Sequence, residues 1–231
     1  MGHDWGGHGN ANLLDQVKTA LAYLTRMGVK GVDCSPSSLD RMASWGKGPV
    51  VRPETLETIC RDIAHCRGCG LETAGSAKPP EQGPLHPRFI IVVHWPNTET
   101  ALPFDGPAGE LLLKIVQAME LAPEDIYVLN TVKCRPQGEL SPFSRETGMC
   151  VGFLKRQLAL LKPEVVCVMG AFAAQALLQT KTPLSDLRGR FHDYEDMSVM
   201  PTFHPDALLM DPSKKRAVWE DVKQIKHRLN L

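Results

Sequence analysis

The sequence predicts an α/β fold in which a mainly parallel sheet of four strands is covered by helices on both faces. Three observations support this prediction. Short apolar runs of strand length alternate with longer stretches whose apolar residues recur at helical spacing. Such alternation is typical of parallel sheets, because each crossover between parallel strands brings a helix onto one face. With 43% hydrophobic and 23% charged residues, the chain also has the ordinary composition of a globular protein.

The four predicted strands are apolar runs that cover residues 88–93, 126–129, 165–169 and, more weakly, 198–200. In a sheet of this type, ligands bind beyond the carboxyl ends of the strands. We therefore expect the functional site among the residues that follow the strands, which are 94–97, 130–131, 169–170 and 203–205.

The helices between and after the strands are predicted from apolar residues at helical spacing, at 109–121, 145–161, 171–179 and 213–229. A further amphipathic helix is predicted at residues 10–27, and residues 31–53 are rich in Gly, Ser and Pro, as a linker would be. The chain is therefore divided into an N-terminal helix with its linker, residues 1–52, and a main domain, residues 53–231.

The charge of the chain gives no global indication of a partner, because 26 basic and 26 acidic residues balance. Contact with a nucleic acid must then come from local basic clusters, such as Lys133 with Arg135 or residues 214–216, which also fit solvated helix faces. No apolar run is long enough for a bilayer, and the first residues lack the pattern of a signal peptide. We expect a cytoplasmic protein that binds no membrane.

The seven cysteines indicate metal ligation rather than a disulfide framework, because their number is odd and no signal peptide precedes them. Cys66 and Cys69 form a close pair, Cys134 follows a predicted strand, and Cys150 lies in a predicted helix. Four thiolates suit a zinc ion or an iron–sulfur cluster, and spacing alone does not decide between them. Cys134 and Cys150 also fit isolated packing positions. The remaining three are a core residue, a linker residue and a weaker candidate ligand, namely Cys167, Cys34 and Cys60.

Five segments in order resemble the family 4 iron–sulfur uracil-DNA glycosylases. Residues 66–71 resemble the opening of that family, and residues 103–112 resemble its Pro-Phe-Val-Gly-x-Ala-Gly-x-Leu-Leu segment. Residues 130–136, followed by Cys150, match its second cysteine pattern, while Arg188-Gly189 and residues 202–205 resemble its Arg-Gly and His-Pro-Ala motifs. The similarity runs from about Cys60 to the C-terminus.

The resemblance implies a three-layer α/β/α sandwich and a structural 4Fe-4S cluster held by Cys66, Cys69, Cys134 and Cys150. It also implies DNA that contains uracil or another damaged base as the partner, with the base flipped into a pocket. We expect no soluble organic cofactor, and we expect a monomer.

The same resemblance assigns roles to individual residues of the pocket. Phe104 would stack on the flipped base, Asn130 would match the edge of uracil, and His204 would donate to a uracil oxygen as the base leaves. Each residue also has an ordinary structural interpretation, as a core phenylalanine, a turn cap or a backbone hydrogen-bond partner. Further contacts with the base are assigned to Pro96 and Asn97. Contacts with DNA are assigned to Gly106, Ala108, Gly109, Pro205, Leu208 and Met210, and Leu208, Leu209 or Met210 could act as a wedge.

The chain departs from the family at its Gly-Glu-x-Pro-Gly motif, where residues 93–97 read Val-His-Trp-Pro-Asn. His94 takes the place of the glutamate, whose carboxylate would stabilise the positive charge that develops on the sugar. A neutral His94 could act on water instead, and its reference pKa of about 6.5 predicts activity that rises with pH. Glu99 and Asp105 are alternative carboxylates on the same loop.

Two functions follow from this departure. The first is a DNA glycosylase that hydrolyses the N-glycosidic bond of uracil or a related base. The second is a catalytically weak or inactive protein of the same fold that binds damaged DNA. A structural zinc module is a third and weaker alternative, which the absorbance of an iron–sulfur cluster would exclude.

Overall fold

The structure is a computed structural model that describes residues 9–28, 54–71, 83–84, 86–96 and 102–231. The chain forms two compact units, Met1–Arg52 and Pro53–Leu231. In the first unit, the helix predicted at 10–27 is present as α1, Gly9–Arg26. The predicted linker, Cys34, Asn97 and Glu99 lie outside the described residues.

The second unit is built on a five-stranded sheet. Its strands are β1 (Phe89–Val93), β2 (Tyr127–Asn130), β3 (Val165–Met169), β4 (His192–Tyr194) and β5 (Met197–Thr202), in the spatial order β2-β1-β3-β5-β4. The neighbours β2, β1, β3 and β5 run parallel, and β4 pairs antiparallel with β5. The α/β class and the parallel core of the sheet are as predicted.

The predicted count of four strands was too low, because β4 was missed. This strand has three residues, His192, Asp193 and Tyr194, and none of them is buried. A short edge strand of polar residues carries neither an apolar run nor a period of two, so the pattern that reveals buried strands is absent from it.

Helices cover both faces of the sheet and complete the three layers. On one face lie α3 (Gly106–Ala118) and α8 (Lys215–Leu229), and on the other lie α4 (Arg145–Leu161), α5 (Ala171–Leu178) and α6 (Leu184–Leu187). Because successive side chains of a strand point to opposite faces, β1 contributes to both cores at once. All five residues of β1 are buried, as are all five of β3, which explains why both strands are apolar throughout.

Besides α6, two further short α-helices escaped prediction. The first is α2, Leu56–Ala64, which begins where the Thr55 side chain accepts from the Thr58 backbone N–H and which buries Ile59 and Ile63. Arg156 of α4 forms ion pairs with residues at both ends of α2, Glu54 and Asp62, at 2.7 Å each. The second is α7, Pro205–Met210, which begins directly after His204.

Backbone hydrogen bonds fix the loops at the carboxyl edge of the sheet. The N–H of Thr131 donates to the carbonyl of Val93, and that of Val132 to the carbonyl of His94, both at 2.8 Å. The N–H of Gly170 likewise donates to Thr202 at 2.8 Å. These bonds extend the pairing beyond the strand ends and hold the following residues side by side. In the described parts of the chain, none of the helices has the length and apolar character needed to cross a membrane.

Candidate active site and cysteine cavity

Four of the five strands end at the edge where the sequence places the functional site. His94 follows β1, Asn130 ends β2, Gly170 follows β3 and His204 follows β5 soon after Thr202. A side chain on Gly170 would press on the Cβ of His204 at 3.3 Å, so the loop after β3 lies against the His204 side chain. Since β1, β3 and β5 are neighbours in the sheet, residues that are distant in the sequence meet at one place.

His94 and His204 are in direct contact. Their ring centroids are 4.2 Å apart with an interplanar angle of 68°. The ring of Trp95 packs edge-on against His94, also at 4.2 Å, and contacts Phe172 of α5 at 5.2 Å. The sequence did not predict the aromatic contact with Phe172, because nothing in the pattern of α5 distinguishes that residue from a core residue. The two histidines therefore lie among aromatic side chains at the carboxyl edge of the sheet.

The environment of His94 keeps its imidazole neutral. Burial, followed by the proximity of His204, lowers the pKa of His94 to about 3. The expected rise of activity through a pKa near 6.5 is therefore not supported, because the ring has already lost its proton at every pH from 6 to 8. A ring with so low a pKa can accept a hydrogen bond from water, but it holds a full proton poorly.

His204 serves as the N-cap of α7. Its Nδ1 accepts a hydrogen bond from the backbone N–H of Asp206 at 3.2 Å, and the Oδ2 of Asp206 also lies 3.2 Å from Nδ1. In a neutral ring whose Nδ1 accepts, the proton is on Nε2, which is then a donor. The side chain of His204 is 13% exposed, so this donor is mostly shielded from solvent.

A buried ion pair lies beneath the end of β5. The guanidinium of Arg188 donates to both carboxylate oxygens of Asp221, at 3.2 and 2.8 Å, and the hydroxyl of Thr202 donates to the same carboxylate at 2.6 Å. Asp221 is fully buried. The Arg-Gly segment noted in the sequence thus holds the strand that leads to His204.

The predicted base-binding residues have distinct environments. Asn130 is buried, with 7% of its surface exposed, and Pro96 is buried as well. Phe104 is half-buried against the core beside α3. The backbone of Phe104 lies so close to Gly109 that no side chain would fit at Gly109, which explains a glycine inside this helix. Asp105, half-buried, directly precedes α3.

The residues expected to contact DNA differ in their exposure to solvent. Leu208 is 2% exposed and belongs to the core, so it cannot act as the wedge that the sequence allowed for. Met210 is 87% exposed and keeps that possibility. Ala108, Gly109 and Pro205 are buried, so only their backbones could reach DNA, whereas Gly106 is exposed. Their contacts with DNA stay predictions.

The four cysteines of the predicted ligand set line a single cavity. Cys66 and Cys69 follow α2, Cys134 follows β2, and Cys150 lies in α4. The backbone N–H of Lys133 donates to the Cys150 sulfur at 3.1 Å. Burial raises the pKa of Cys150 to about 11, and the nearby Cys134 and Cys69 add to this rise. The cavity therefore gathers donors from three distant segments of the chain.

Cys60 and Cys167 lie outside this cavity, and the sequence predicted the wrong environment for one basic residue. Cys167 is buried within β3, and Cys60 lies within α2 and does not line the cavity. Lys133, predicted in a basic surface cluster with Arg135, is only 2% exposed, and its ammonium donates to the Gln157 side chain at 2.6 Å. Arg135 is exposed. A lysine adjacent to a strand end gives no signal in the sequence that its partner lies on a helix 24 residues away.

Comparison with known proteins shows the family of the chain. The model of the uracil DNA glycosylase superfamily matches residues 80–223. The chain is 31% identical to the type-4 uracil-DNA glycosylase of Archaeoglobus fulgidus over 74% of this chain and 92% of that protein. It is 32% identical to the protein of the same name from Thermotoga maritima, over 76% and 95% of the two chains, and 25% identical to that of Saccharolobus solfataricus, over 77% and 88%. With this family match and these relatives, the chain belongs to the uracil-DNA glycosylase superfamily.

Proposed function

We propose that this protein removes uracil from DNA by hydrolysing the bond between the base and the deoxyribose. The observation that carries the proposal is that Asn130 ends a strand at the same edge of the sheet where His94 and His204 are in contact. The relatives of the chain are type-4 uracil-DNA glycosylases. An amide, a neutral imidazole and a second imidazole with a shielded donor supply hydrogen bonds for a base edge, a water and a departing oxygen.

Recognition of the base falls to Asn130. Its side-chain amide carries both a donor and an acceptor, so it can pair with the N–H and carbonyl of uracil, whereas cytosine offers a different pattern. Because Asn130 is buried, a base that fails to match its amide would leave polar groups unpaired, and that mismatch is costly. Phe104 would supply the stacking surface for the flipped ring.

Bond cleavage requires charge to be stabilised on both fragments. As the bond from C1′ breaks, its electron pair stays on the uracil ring, and the Nε2–H of His204 donates to a uracil oxygen that gains negative charge. A water oxygen then bonds to C1′ and its proton leaves to solvent. His94 accepts a hydrogen bond from this water and orients it, and as a neutral ring it does not oppose the sugar cation.

The cysteine cavity fits a 4Fe-4S cluster held by Cys66, Cys69, Cys134 and Cys150. The donor set is four sulfurs, and one of them already receives a backbone N–H. Four thiolates also suit a zinc ion. The cysteine pattern that the chain shares with the family it resembles favours a cluster. When bound, the cluster supplies a structural cross-link and no redox step.

A second candidate function is binding of damaged DNA without excision. It is favoured by one observation: His94 follows β1 at the position where the family that the chain resembles carries a glutamate. Without that carboxylate, the sugar cation loses a stabilising charge while the fold, the pocket and the cavity stay intact.

One experiment separates the two functions. Single-turnover excision and equilibrium binding would be measured with the same uracil-containing oligonucleotide, single-stranded and then paired, with the cytosine oligonucleotide as control. Excision of uracil, with no excision of cytosine, supports the glycosylase. Tight binding of uracil DNA with no product supports the binding protein. Asn130→Asp should reduce the preference for uracil, because a carboxylate cannot donate as the amide does; an unchanged preference would place base recognition elsewhere.

A further inference from the structure

The carboxyl edge of the sheet holds a group of potential metal ligands that base excision does not require in full. One ligand atom each from His94, His204 and Asp206 lies within 4.8 Å of the other two. His94 follows β1, whereas His204 caps α7 and Asp206 lies in its first turn. The carbonyl of His94 accepts a hydrogen bond from the Val132 N–H, and the N–H of Asp206 donates to His204 Nδ1. Two imidazoles and one carboxylate make up a donor set that binds divalent transition metals in many proteins.

The spacing between His204 and Asp206 fits two ligands of one small ion. The Nδ1 of His204 and the Oδ2 of Asp206 are 3.2 Å apart. Two donors bound to zinc at about 2.0–2.1 Å in a tetrahedron lie about 3.3 Å apart, so an ion fits between them with little movement. An ion on Nδ1 would replace the hydrogen bond from the Asp206 N–H and would leave the proton on Nε2 of His204 in place.

The surroundings permit an ion to enter and to keep an open position. Asp206 is 45% exposed, whereas His204 is mostly shielded, so the group opens to solvent on the carboxylate side. One negative charge among the ligands partly neutralises a dication. Three protein ligands leave the fourth tetrahedral position to water, which is the arrangement of reactive zinc sites rather than of closed structural ones.

We propose that His94, His204 and Asp206 form a binding site for one divalent transition-metal ion, distinct from the cysteine cavity. The His94 side chain that replaces the family's glutamate supplies the second imidazole and so creates the site. The ion would bind to the lone pair with which His94 orients water. Bound metal would therefore lower the rate of uracil excision. That consequence rests on the proposed function, whereas the metal site itself does not.

Zinc binding to the holoprotein tests the proposal. Anaerobically purified protein with its iron content recorded would be dialysed against Zn²⁺, and zinc and iron per chain would be measured together. We expect one zinc per chain in the wild type with no loss of iron. Losing the outer partner of a ligand costs roughly 10- to 100-fold in affinity, so His94→Gln, which removes a ligand outright, should cost at least as much. Asp206→Asn should weaken binding as well.

The controls separate this site from adventitious binding and from misfolding. His227 is an exposed histidine of α8, and His227→Gln should bind zinc as the wild type does. Iron content and circular dichroism report folding, and if His94→Gln does not fold, the half-exposed Asp206→Asn decides. Three outcomes would each overturn the proposal. The wild type fails to bind one zinc per chain, a folded His94→Gln or Asp206→Asn binds zinc as tightly as the wild type, or His227→Gln loses as much zinc affinity as they do. A protein that binds zinc at this site yet never excises uracil would keep the metal site and lose the proposed function.

Discussion

The cysteine cavity and the carboxyl edge of the sheet lie on either side of one short segment, yet they differ in how closely they follow the family. Residues 130–134 connect them, because Asn130 ends β2 at the pocket and Cys134 lines the cavity. The cavity retains every cysteine of the pattern that the chain resembles. The pocket retains Asn130 and His204 but has His94 in place of the glutamate.

Under the proposed function, the two sites differ in how well they tolerate substitution. A four-sulfur site needs all its donors, because each supplies a bond that also holds distant segments together. A pocket that stabilises charge can be rebuilt from other groups, provided that they stand at the same strand end. Here the replacement imidazole is packed against Trp95 and His204, and that packing fixes its charge state.

The largest expected effect is the loss of iron when one cysteine of the cavity is replaced. Cys134→Ala or Cys150→Ala should reduce iron from about four per chain to near none and should lower the yield of folded protein, because cluster binding is coupled to folding. Iron analysis and absorbance of anaerobically purified protein measure this loss. Cys167→Ala is the matched control, since Cys167 is as deeply buried but lies in β3. Full iron in Cys134→Ala or in Cys150→Ala would remove that cysteine from the ligand set.

The next largest effect is expected at His94. His94→Ala should lower the single-turnover rate about 100-fold, the cost of a misplaced reacting group, rather than the 10⁴-fold that a full general base can contribute. His94→Glu should retain or raise activity, because a carboxylate stabilises the sugar cation. Rates on single-stranded uracil DNA provide the test. If His94→Ala cleaves as fast as the wild type, His94 is a packing residue, and Glu99 and Asp105 become the candidates.

A smaller effect is expected at Phe104. Phe104→Ala should weaken binding of uracil DNA by about 1–3 kcal/mol, the usual worth of a base stacked on an aromatic ring. Phe191 is the matched control, because it is also half-buried against the same core and is covered by Arg228. Equal loss in Phe104→Ala and Phe191→Ala would mean that core packing, not stacking, explains the change.

The parts of the molecule that could be predicted from the sequence are those whose structure depends on local residue patterns. Runs such as β3 are apolar because both faces are covered, so their positions could be read directly. The environment of Lys133 could not be predicted, because its partner Gln157 belongs to another element. The prediction that Lys133 lies in a surface cluster was therefore wrong. Asp206 was missed for the same reason: only the fold brings its carboxylate to two histidines, one of which is over 100 residues earlier in the chain.

The smallest expected effect is in the dependence of excision on pH, and it tests whether the packing around His94 sets its charge. A group that acts as a neutral acceptor becomes effective as pH rises through its pKa and then levels off. With the reference pKa of about 6.5, the neutral fraction would rise about fourfold between pH 6 and pH 8. Since burial lowers the pKa of His94 to about 3, the rate should instead be level across that range. Single-turnover rates at constant ionic strength, in buffer without added divalent metal, measure the profile. A fourfold rise that disappears in His94→Ala would show that the imidazole is exposed to solvent, and a rise that persists there would point to another group.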